Sequence, residues 1–321
     1  MIWIYYVNGT DFVAADVTSF SQLMEIARDH WIWVDIFSPD EKELEILTEL
    51  LGNEHEVVEN FKKMMTKHLD IQYEGPELCN YKRINKFGSV VLPSIALDEK
   101  LTVYPIILAK KKKMIVSWAE EGNNHSKIIK KTIKRLREGV ETKQNLNSSL
   151  VISVLFHEVA IKNSNEIINI REKIDQLEEQ ALESGGKALA HSVFSLKKMI
   201  SGLHRLMIKE KAFMLDVDKS VLPLINLNQK SKPIVDEAIG IIDREIDFID
   251  SYSRTLDSIL TLSDLTSIHK VENSINTLTI VLVIGTVILI LFELLNILGL
   301  VHYYKKLAFT FFHRFGFGVK I

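Results

Sequence analysis

Five polar side chains interrupt an otherwise apolar stretch at residues 275–301. They are one carboxylate, two hydroxyls and two amides: Asn276, Thr279, Thr286, Glu293 and Asn296. Steps of three and seven place them on one face of a helix. A carboxylate in the bilayer centre costs several kcal/mol, but copies of the helix that turned this face inward around water would avoid that cost. Rings of hydroxyl and carboxylate oxygens would then suit the passage of cations.

A single helix in lipid offers another interpretation of the same residues. Threonine hydroxyls can bond back to their own helix, and Glu293 lies near the far end of the stretch, where it could reach the headgroups. Both interpretations stay open on this feature alone, although the heptad pattern upstream favours the inward-facing one.

Composition limits the class of protein. The stretch at 275–301 is the only apolar run long enough to span a bilayer, which needs about 20 residues. The net charge of −3, with no basic block interleaved with aromatics, gives no reason to expect direct nucleic-acid binding. The single cysteine, Cys79, excludes a disulfide framework. The start, MIWIYYVNGTDF, lacks the pattern of a secretory signal. We therefore expect most of the chain to be cytoplasmic.

Residues 1–145 alternate between strand and helix signals. The runs MIWIYYVNG, DFVAADV and WIWVDIF are rich in β-branched and aromatic residues and predict strands. SPDEKELEILTELLG predicts a helix with Ser38 as N-cap, Glu41 completing a capping box and Gly52 at its end. LTVYPIILAKKKKMIVSWAEEG predicts two strands joined by a lysine-rich turn, and HSKIIKKTIKRLREG a basic helix. This segment is a mixed α/β domain.

The remainder is helical, and the expected class is an α+β membrane protein. Residues 146–222 predict a long antiparallel hairpin broken at Gly185-Gly186, and residues 223–274 a stalk helix that continues into a transmembrane pore helix at 275–301. An aromatic and basic tail, 302–321, is expected at the membrane interface. A seam of alternating four- and three-residue steps indicates helices packed in parallel around an axis: Val235, Ile239, Ile242, Ile246, Ile249, Ser253, Leu256 and Leu260.

No residue constellation supports an enzyme. There is no phosphate-binding G-x-x-x-x-G-K-[ST], no G-x-G-x-x-G after a strand and no C-x-x-C. His157-Glu158 begins like a zinc-protease motif but lacks its second histidine, so we expect His157 to be a helix-surface or packing residue. Four acidic residues of the stalk are expected on a solvated face, where they could hold Mg²⁺ or Ca²⁺ between subunits: Asp243, Asp247, Asp250 and Asp257. Asp236 and Glu237 are the candidates for a regulatory metal.

The order of these parts resembles the CorA family of divalent-cation channels. WIWVDIFSPDEKELEILTELLGNEHEVVENF is similar to the family's W-I-D-L opening and the acidic helix that follows. YPIILAKKKKMIVSWAEEG is similar to its final strand pair, and KVENSINTLTIV to the entry of its pore helix, N-E-V-M-K-x-L-T-I. The resemblance implies a homopentameric funnel in a prokaryotic inner or plasma membrane. Residues carried over to the pore axis are Glu272, Ile275, Leu278, Leu282, Thr286, Leu289 and Glu293.

One departure from the family bears on selectivity. The family's Gly-Met-Asn triplet should follow the pore helix, where this chain has Asn296-Ile297-Leu298-Gly299, and the usual second span is missing or replaced by the tail. The resemblance extends to CorA-like proteins that accompany type III CRISPR systems. Those proteins are thought to be membrane effectors gated by a nucleotide signal, an adenosylmethionine–AMP conjugate.

Three functions follow as hypotheses. The first is such a ligand-gated antiviral effector, whose cytoplasmic domain would sense the nucleotide at a site the sequence does not reveal. The second is a transporter of Mg²⁺ or another divalent cation with an altered mouth. The third is a membrane-tethered coiled-coil scaffold without a pore. None of the three requires a resident cofactor.

Overall fold

The computed structural model describes residues 1–8, 11–17, 19–50, 78–79, 81–84, 87–97, 101–119, 125–141, 147–183, 187–222 and 225–314. Its strands are β1 Ile2–Asn8, β2 Asp11–Asp16, β3 Ile32–Phe37, β4 Tyr81–Ile84, β5 Phe87–Leu97, β6 Leu101–Lys111 and β7 Met114–Ala119. Its helices are α1 Phe20–Asp29, α2 Glu41–Leu50, α3 His125–Glu141, α4 Ser148–Glu183, α5 Lys187–Asp218, α6 Lys232–Ile297 and α7 Leu300–Arg314. The predicted mixed α/β domain followed by a long helix is confirmed.

The strands form one twisted sheet in the order β2-β1-β3-β7-β6-β5-β4. All neighbouring pairs are antiparallel except β3 and β7, which are parallel. The lysine-rich turn between β6 and β7 lies where the sequence predicts it, and Lys112 takes a left-handed φ of 48° there. The strands adjacent to this turn, β6 and β7, are largely buried, which explains their apolar sequences.

The start of α2 differs from the prediction. Ser38 has a φ of 40° and lies before the helix, so it is not the N-cap. Asp40 takes that role, because its Oδ1 accepts from the backbone N–H of Glu43 at 2.8 Å and its own N–H donates to Glu43 Oε2 at 3.0 Å. The capping box therefore exists two residues further along. Gly52, the predicted end, lies outside the described residues.

Helix α4 fastens the sheet to the helical part of the molecule. Its first three turns are buried on all sides, because it crosses β5 while also packing on α6. On the side of β4, β5 has no strand neighbour past Val91 among the described residues, so the Pro93 carbonyl and the Ile95 N–H lack a strand partner there. The side chain of Asn163 fills that gap: its Nδ2 donates to the Pro93 carbonyl at 2.8 Å, and its Oδ1 accepts from the Ile95 N–H at 3.0 Å.

Polar contacts along α6 give the direction of the two shorter helices. On α4, His157 contacts Glu237 and Ser164 contacts Glu245, so α4 runs parallel to α6. On α5, the order is reversed. Lys211 pairs with Asp243, His204 with Asp250 and Lys197 with Asp257. Helices α4 and α5 are therefore antiparallel, and α6 packs against both more extensively than they pack against each other.

The predicted heptad seam is used differently from the expectation. Its first and alternate members are buried against the hairpin of the same chain: Val235, Ile242, Ile249 and Leu256. The other apolar members of the seam, Ile239, Ile246 and Leu260, are half-buried against the same core. Each buried side chain contributes about 1.5–3 kcal/mol. The heptad period thus reflects packing of three helices within one chain.

Helix α6 is continuous for 66 residues and is about 100 Å long at ~1.5 Å per residue. Among the described residues, it is the one helix long and apolar enough to cross a membrane. The last residue of α4, Glu183, lies beside Lys270 of α6, and the Lys270 Nζ is 3.5 Å from the Glu183 carbonyl. Beyond that point the described side chains of α6 are exposed, with only Gly285 less so.

Candidate functional site

The predicted pore-facing residues all lie on the exposed end of α6. Their spacing alternates between three and four residues through a single stripe: Glu272, Ile275, Thr279, Leu282, Thr286, Leu289, Glu293 and Asn296. Leu278, carried over by resemblance, lies one position from Thr279 and therefore about 100° around the helix. Both are exposed in a single chain. Which of the two faces an axis stays a prediction.

The threonine hydroxyls of the stripe bond to their own helix. Thr279 Oγ1 donates to the Ile275 carbonyl at 2.8 Å, and Thr286 Oγ1 donates to the Leu282 carbonyl at 2.6 Å. A hydroxyl that donates its proton keeps two acceptor lone pairs. Back-bonding therefore satisfies the hydroxyl in lipid and also leaves an oxygen ligand available to a cation.

A second stripe on the stalk was missed by the sequence reasoning. On the side of α6 that the hairpin leaves uncovered, exposed residues continue the same alternating steps of four and three: Gly240, Arg244, Asp247, Ser251, Arg254, Ser258, Thr261, Leu265 and Ile268. The next step reaches Glu272, so one stripe runs from the start of the stalk to Asn296. The regular spacing of these small and polar residues indicates the stripe in the sequence. The sequence-based prediction for the stalk rested on the apolar seam, which has the same spacing.

The stripe changes in character along its length. Its upper part is polar and small, and it includes charges of both signs at Arg244, Asp247 and Arg254. Leu265 and Ile268 then form an apolar segment, exposed by 51 % and 60 % respectively. Polar groups resume at Glu272. An assembly that turned this stripe inward would have a hydrated upper cavity, followed by an apolar narrowing and the oxygen-lined span.

The start of the stalk is joined to the α/β domain by a charged cluster. Arg135 of α3, His157 of α4 and Glu237 of α6 meet there: His157 Nε2 lies 3.1 Å from Glu237 Oε2, and Arg135 Nη2 lies 3.3 Å from the same oxygen. Burial raises the pKa of Glu237, but hydrogen bonds and charge from His157 and Arg135 outweigh it, so the net pKa is lowered. His157 is buried and contacts Glu237 and Arg135, so it belongs to this charged cluster.

The two candidates for a regulatory metal are both engaged by cationic side chains. Glu237 belongs to the cluster above, and Asp236 Oδ1 lies 3.2 Å from the Nζ of Lys232. Three of the four stalk acids expected on a solvated face likewise pair with α5, whereas Asp247 lies on the exposed stripe. Within the described ranges, no three metal-binding side chains come together. The metal role of Asp236 and Glu237 stays a prediction.

A buried polar network closes the parallel strand pair of the sheet. Asp35 on β3 accepts from the Ser117 hydroxyl on β7 and from His125 Nε2 at 2.9 Å. Trp33 Nε1 donates to the Ser117 Oγ at 2.9 Å, and Phe37 stacks on the His125 ring. These contacts fix the start of α3 over the sheet. They link residues that are far apart in the sequence, so no local sequence pattern predicts them.

The residues matched by a known family span most of these elements. Residues 28–287 match the family described as CorA-like Mg²⁺ transporter protein. The chain belongs to this family. The match covers the α/β domain from the last two residues of α1 onward, both hairpin helices and α6 as far as Val287, whereas β1, β2 and most of α1 precede it. A comparison with curated protein sequences finds no match.

Solved structures of CorA-like proteins share the fold of this chain. The complete CorA magnesium transporter of Methanocaldococcus jannaschii superposes with a TM-score of 0.65 at 16% identity, over 88% of this chain and 82% of that one. The soluble domain of the same protein gives 0.60 at 15%, over 81% and 96%. Full-length CmaX gives 0.62 at 12%, over 87% and 81%. At these identities the likeness establishes the fold alone.

Proposed function

We propose that this CorA-like chain forms a homopentameric cation channel in a prokaryotic inner membrane, with α6 lining the pore and the α/β domains in the cytoplasm. The observation that carries the proposal is the continuous stripe on α6. The hairpin covers the opposite side of the stalk and leaves this stripe exposed from Gly240 to Ile268. The same stripe then continues through Thr286 and Glu293 in the apolar span.

The stripe supplies the groups that a cation pathway requires. Five copies of Thr279 and Thr286 offer rings of hydroxyl oxygens, and Glu293 adds a ring of negative charge that disfavours anions. Because these oxygens face water rather than lipid, the cost of a carboxylate in the membrane is relieved. The apolar ring of Ile268 is placed to close the path by excluding water until the stalk helices move.

The finer proposal concerns the signal that opens the channel. Asn296-Ile297-Leu298-Gly299 stands where the family's Gly-Met-Asn mouth is expected, which favours a role other than selective magnesium uptake. We propose a ligand-gated membrane effector of type III CRISPR defence, opened by a nucleotide second messenger that binds the cytoplasmic domain. The Arg135–Glu237 cluster, which joins that domain to the stalk, is the contact through which such a signal would pass.

A second candidate function is transport of Mg²⁺ or another divalent cation as cargo. The Thr and Glu oxygens of the stripe favour it, because hard cations prefer oxygen ligands. The two functions share a fold and differ in their resting state. In vesicles containing purified protein and no ligand, an effector is expected to be silent to both Mg²⁺ and monovalent ions, then to conduct after an adenosylmethionine–AMP conjugate is added. Constitutive Mg²⁺ flux that slows as internal Mg²⁺ rises would instead establish the transporter.

A matched pair of substitutions tests the pore face directly. Thr286 and Thr277 both donate their hydroxyl to the preceding turn, Thr277 to the Asn273 carbonyl at 2.9 Å, but only Thr286 lies on the stripe. Thr286→Val should change conductance or ion preference in the open channel, while Thr277→Val should not. Glu293→Leu should alter selectivity as well. A scaffold without a pore would be indicated if every activity survived Glu293→Leu.

A further inference from the structure

Helix α7 is amphipathic and is not covered by the rest of the chain. A ridge of residues four apart carries polar and cationic groups: His302, Lys306, Thr310 and Arg314. The opposite side carries Tyr304, Ala308 and Phe311, at steps of four and three, and Leu307 lies at its border next to Arg314. From His302 to Phe311 every side chain is exposed, so the chain itself covers neither side. The polar side is therefore available to water or lipid headgroups, and the apolar side to lipid acyl chains.

The geometry of the turn confines α7 to the end of the membrane span. Gly299 takes a φ of +68°, and open space surrounds the position where its Cβ would lie. Its N–H donates to the Asn296 carbonyl at 3.1 Å, and its carbonyl accepts from Tyr303 at 3.2 Å. One left-handed residue thus ends α6 and starts α7. The new helix has 15 residues, about 22 Å, which is too short to cross a hydrocarbon core of about 30 Å.

The charged side chains of the C-terminal segment are all positive. Beyond Glu293 the sequence contains no aspartate or glutamate, while it contains Lys305, Lys306, Arg314 and Lys320. The whole chain has a net charge of −3, so the excess of positive charge is local. Tyr303 and Tyr304 add amphipathic rings of the kind that settle at headgroup depth. Each basic residue near an anionic membrane surface contributes about 1 kcal/mol of attraction.

We propose that α7 lies in the plane of the membrane surface opposite the α/β domain and binds the headgroups of anionic phospholipids. Tyr304, Leu307 and Phe311 enter the acyl region, while Lys306 and Arg314 contact lipid phosphates. The proposal rests on the proposed span of α6, because that span places α7 at the far surface. It also explains how basic residues are held on a side where the positive-inside tendency disfavours them.

Two labelling positions test the orientation without removing any charge. In a Cys79→Ser background, which removes the one cysteine of the sequence, Thr310→Cys and Ala308→Cys carry an environment-sensitive fluorophore on opposite sides of α7. In vesicles of phosphatidylcholine with phosphatidylglycerol, a water-soluble quencher should act several-fold more slowly at 308 than at 310. Spin-labelled lipids should quench the 308 label preferentially. In phosphatidylcholine alone, and in Lys305→Gln/Lys306→Gln, the difference should shrink.

Three results would overturn this inference. Equal shielding of both labels, whatever the lipid charge, would mean that α7 is buried in the bilayer or in another copy. Equal exposure would mean that it is free of the membrane. A difference in quenching between the two labels that did not depend on lipid charge would contradict the proposed contact with anionic headgroups. Extraction of the vesicles with alkaline carbonate tests the span of α6 beforehand. Because the labels require no ion flux, a silent channel would leave the result for α7 intact.

Discussion

At the scale of single residues, a buried carboxyl group ties the protein's stability to pH. Glu210 on α5 is fully buried, and neither of its oxygens has a hydrogen-bond partner of normal geometry among the described residues. Burial raises its pKa from 4.5 to about 8, and the nearby Asn163 amide, which lowers the pKa, offsets only part of this. The neutral form is therefore favoured in the folded state, with Cys79 and Lys209 as its titratable neighbours.

The sign of the pH dependence follows from the raised pKa. Below the unfolded value of 4.5 the group imposes no penalty, and as pH rises towards about 8 the folded state loses stability relative to the unfolded chain. Glu210→Gln should remove this loss. Thermal unfolding in detergent between pH 4.5 and 9 should show a stabilisation by the variant that grows with pH and levels off above about 8. The exposed Glu179→Gln is the control, and a similar trend there would contradict the assignment.

The Asp35 network provides a second prediction at this scale. Asp35→Ala leaves the buried groups of Ser117 and His125 without their acceptor. Unsatisfied buried polar groups cost about 1–3 kcal/mol each, so we expect a loss on the order of 3 kcal/mol in the α/β domain. Chemical denaturation followed by tryptophan fluorescence reports it, since Trp33 belongs to the network. Asp29→Ala, at an exposed position, should be nearly neutral, and comparable losses in both variants would count against the network.

At the scale of elements, the apolar ring of the stalk is expected to hold the channel shut. Ile268→Asn places an amide where Ile268 excludes water, so it should raise ligand-free ion flux several-fold. Val271→Asn, which is also exposed by 60 % but lies off the stripe, should leave the flux unchanged. Stopped-flow flux measurements on both variants check this. Equal leak from the two would mean that the stripe does not face the pathway.

Sequence patterns located most elements because those patterns are local. The strands, the basic helix α3 and the continuous helix α6 follow from apolar runs and the absence of proline. The α2 cap was misplaced because Ser38 and Asp40 are both good caps, and only the left-handed φ of Ser38 decides between them. The heptad seam was misassigned because a period of 3.5 reports helix packing without naming the partner. The Asp35–His125 contact, 90 residues apart, has no local signature.

At the scale of the whole molecule, a single chain leaves the apolar end of α6 beyond Lys270 uncovered. Lipid can cover the Ile, Leu, Val and Phe sides of α6, but it offers no polar partner to Thr286 and Glu293 of the stripe. A single helix in a membrane also forms no water-filled space in which these groups could be hydrated. Closure around an axis satisfies both demands, since a ring of identical subunits presents the same stripe from each. The hairpin is compatible with this arrangement, because it covers one side of the stalk and leaves the stripe exposed.

Closure around an axis predicts the mass of the assembly and the effect of a bulky side chain on the stripe. Native mass spectrometry of detergent-solubilised protein should give five times the 36.8 kDa subunit. Ser258→Trp places a bulky ring on the exposed stripe, and should reduce flux through the open channel without dissociating the pentamer, because the stripe is proposed to line the path for ions and not a contact between subunits. Leu256→Trp, two residues earlier and on the opposite side of α6, in the core shared with the hairpin, should destabilise each subunit instead. If Ser258→Trp dissociated the assembly and Leu256→Trp did not, the stripe would be a contact between subunits and the path for ions would have to lie elsewhere.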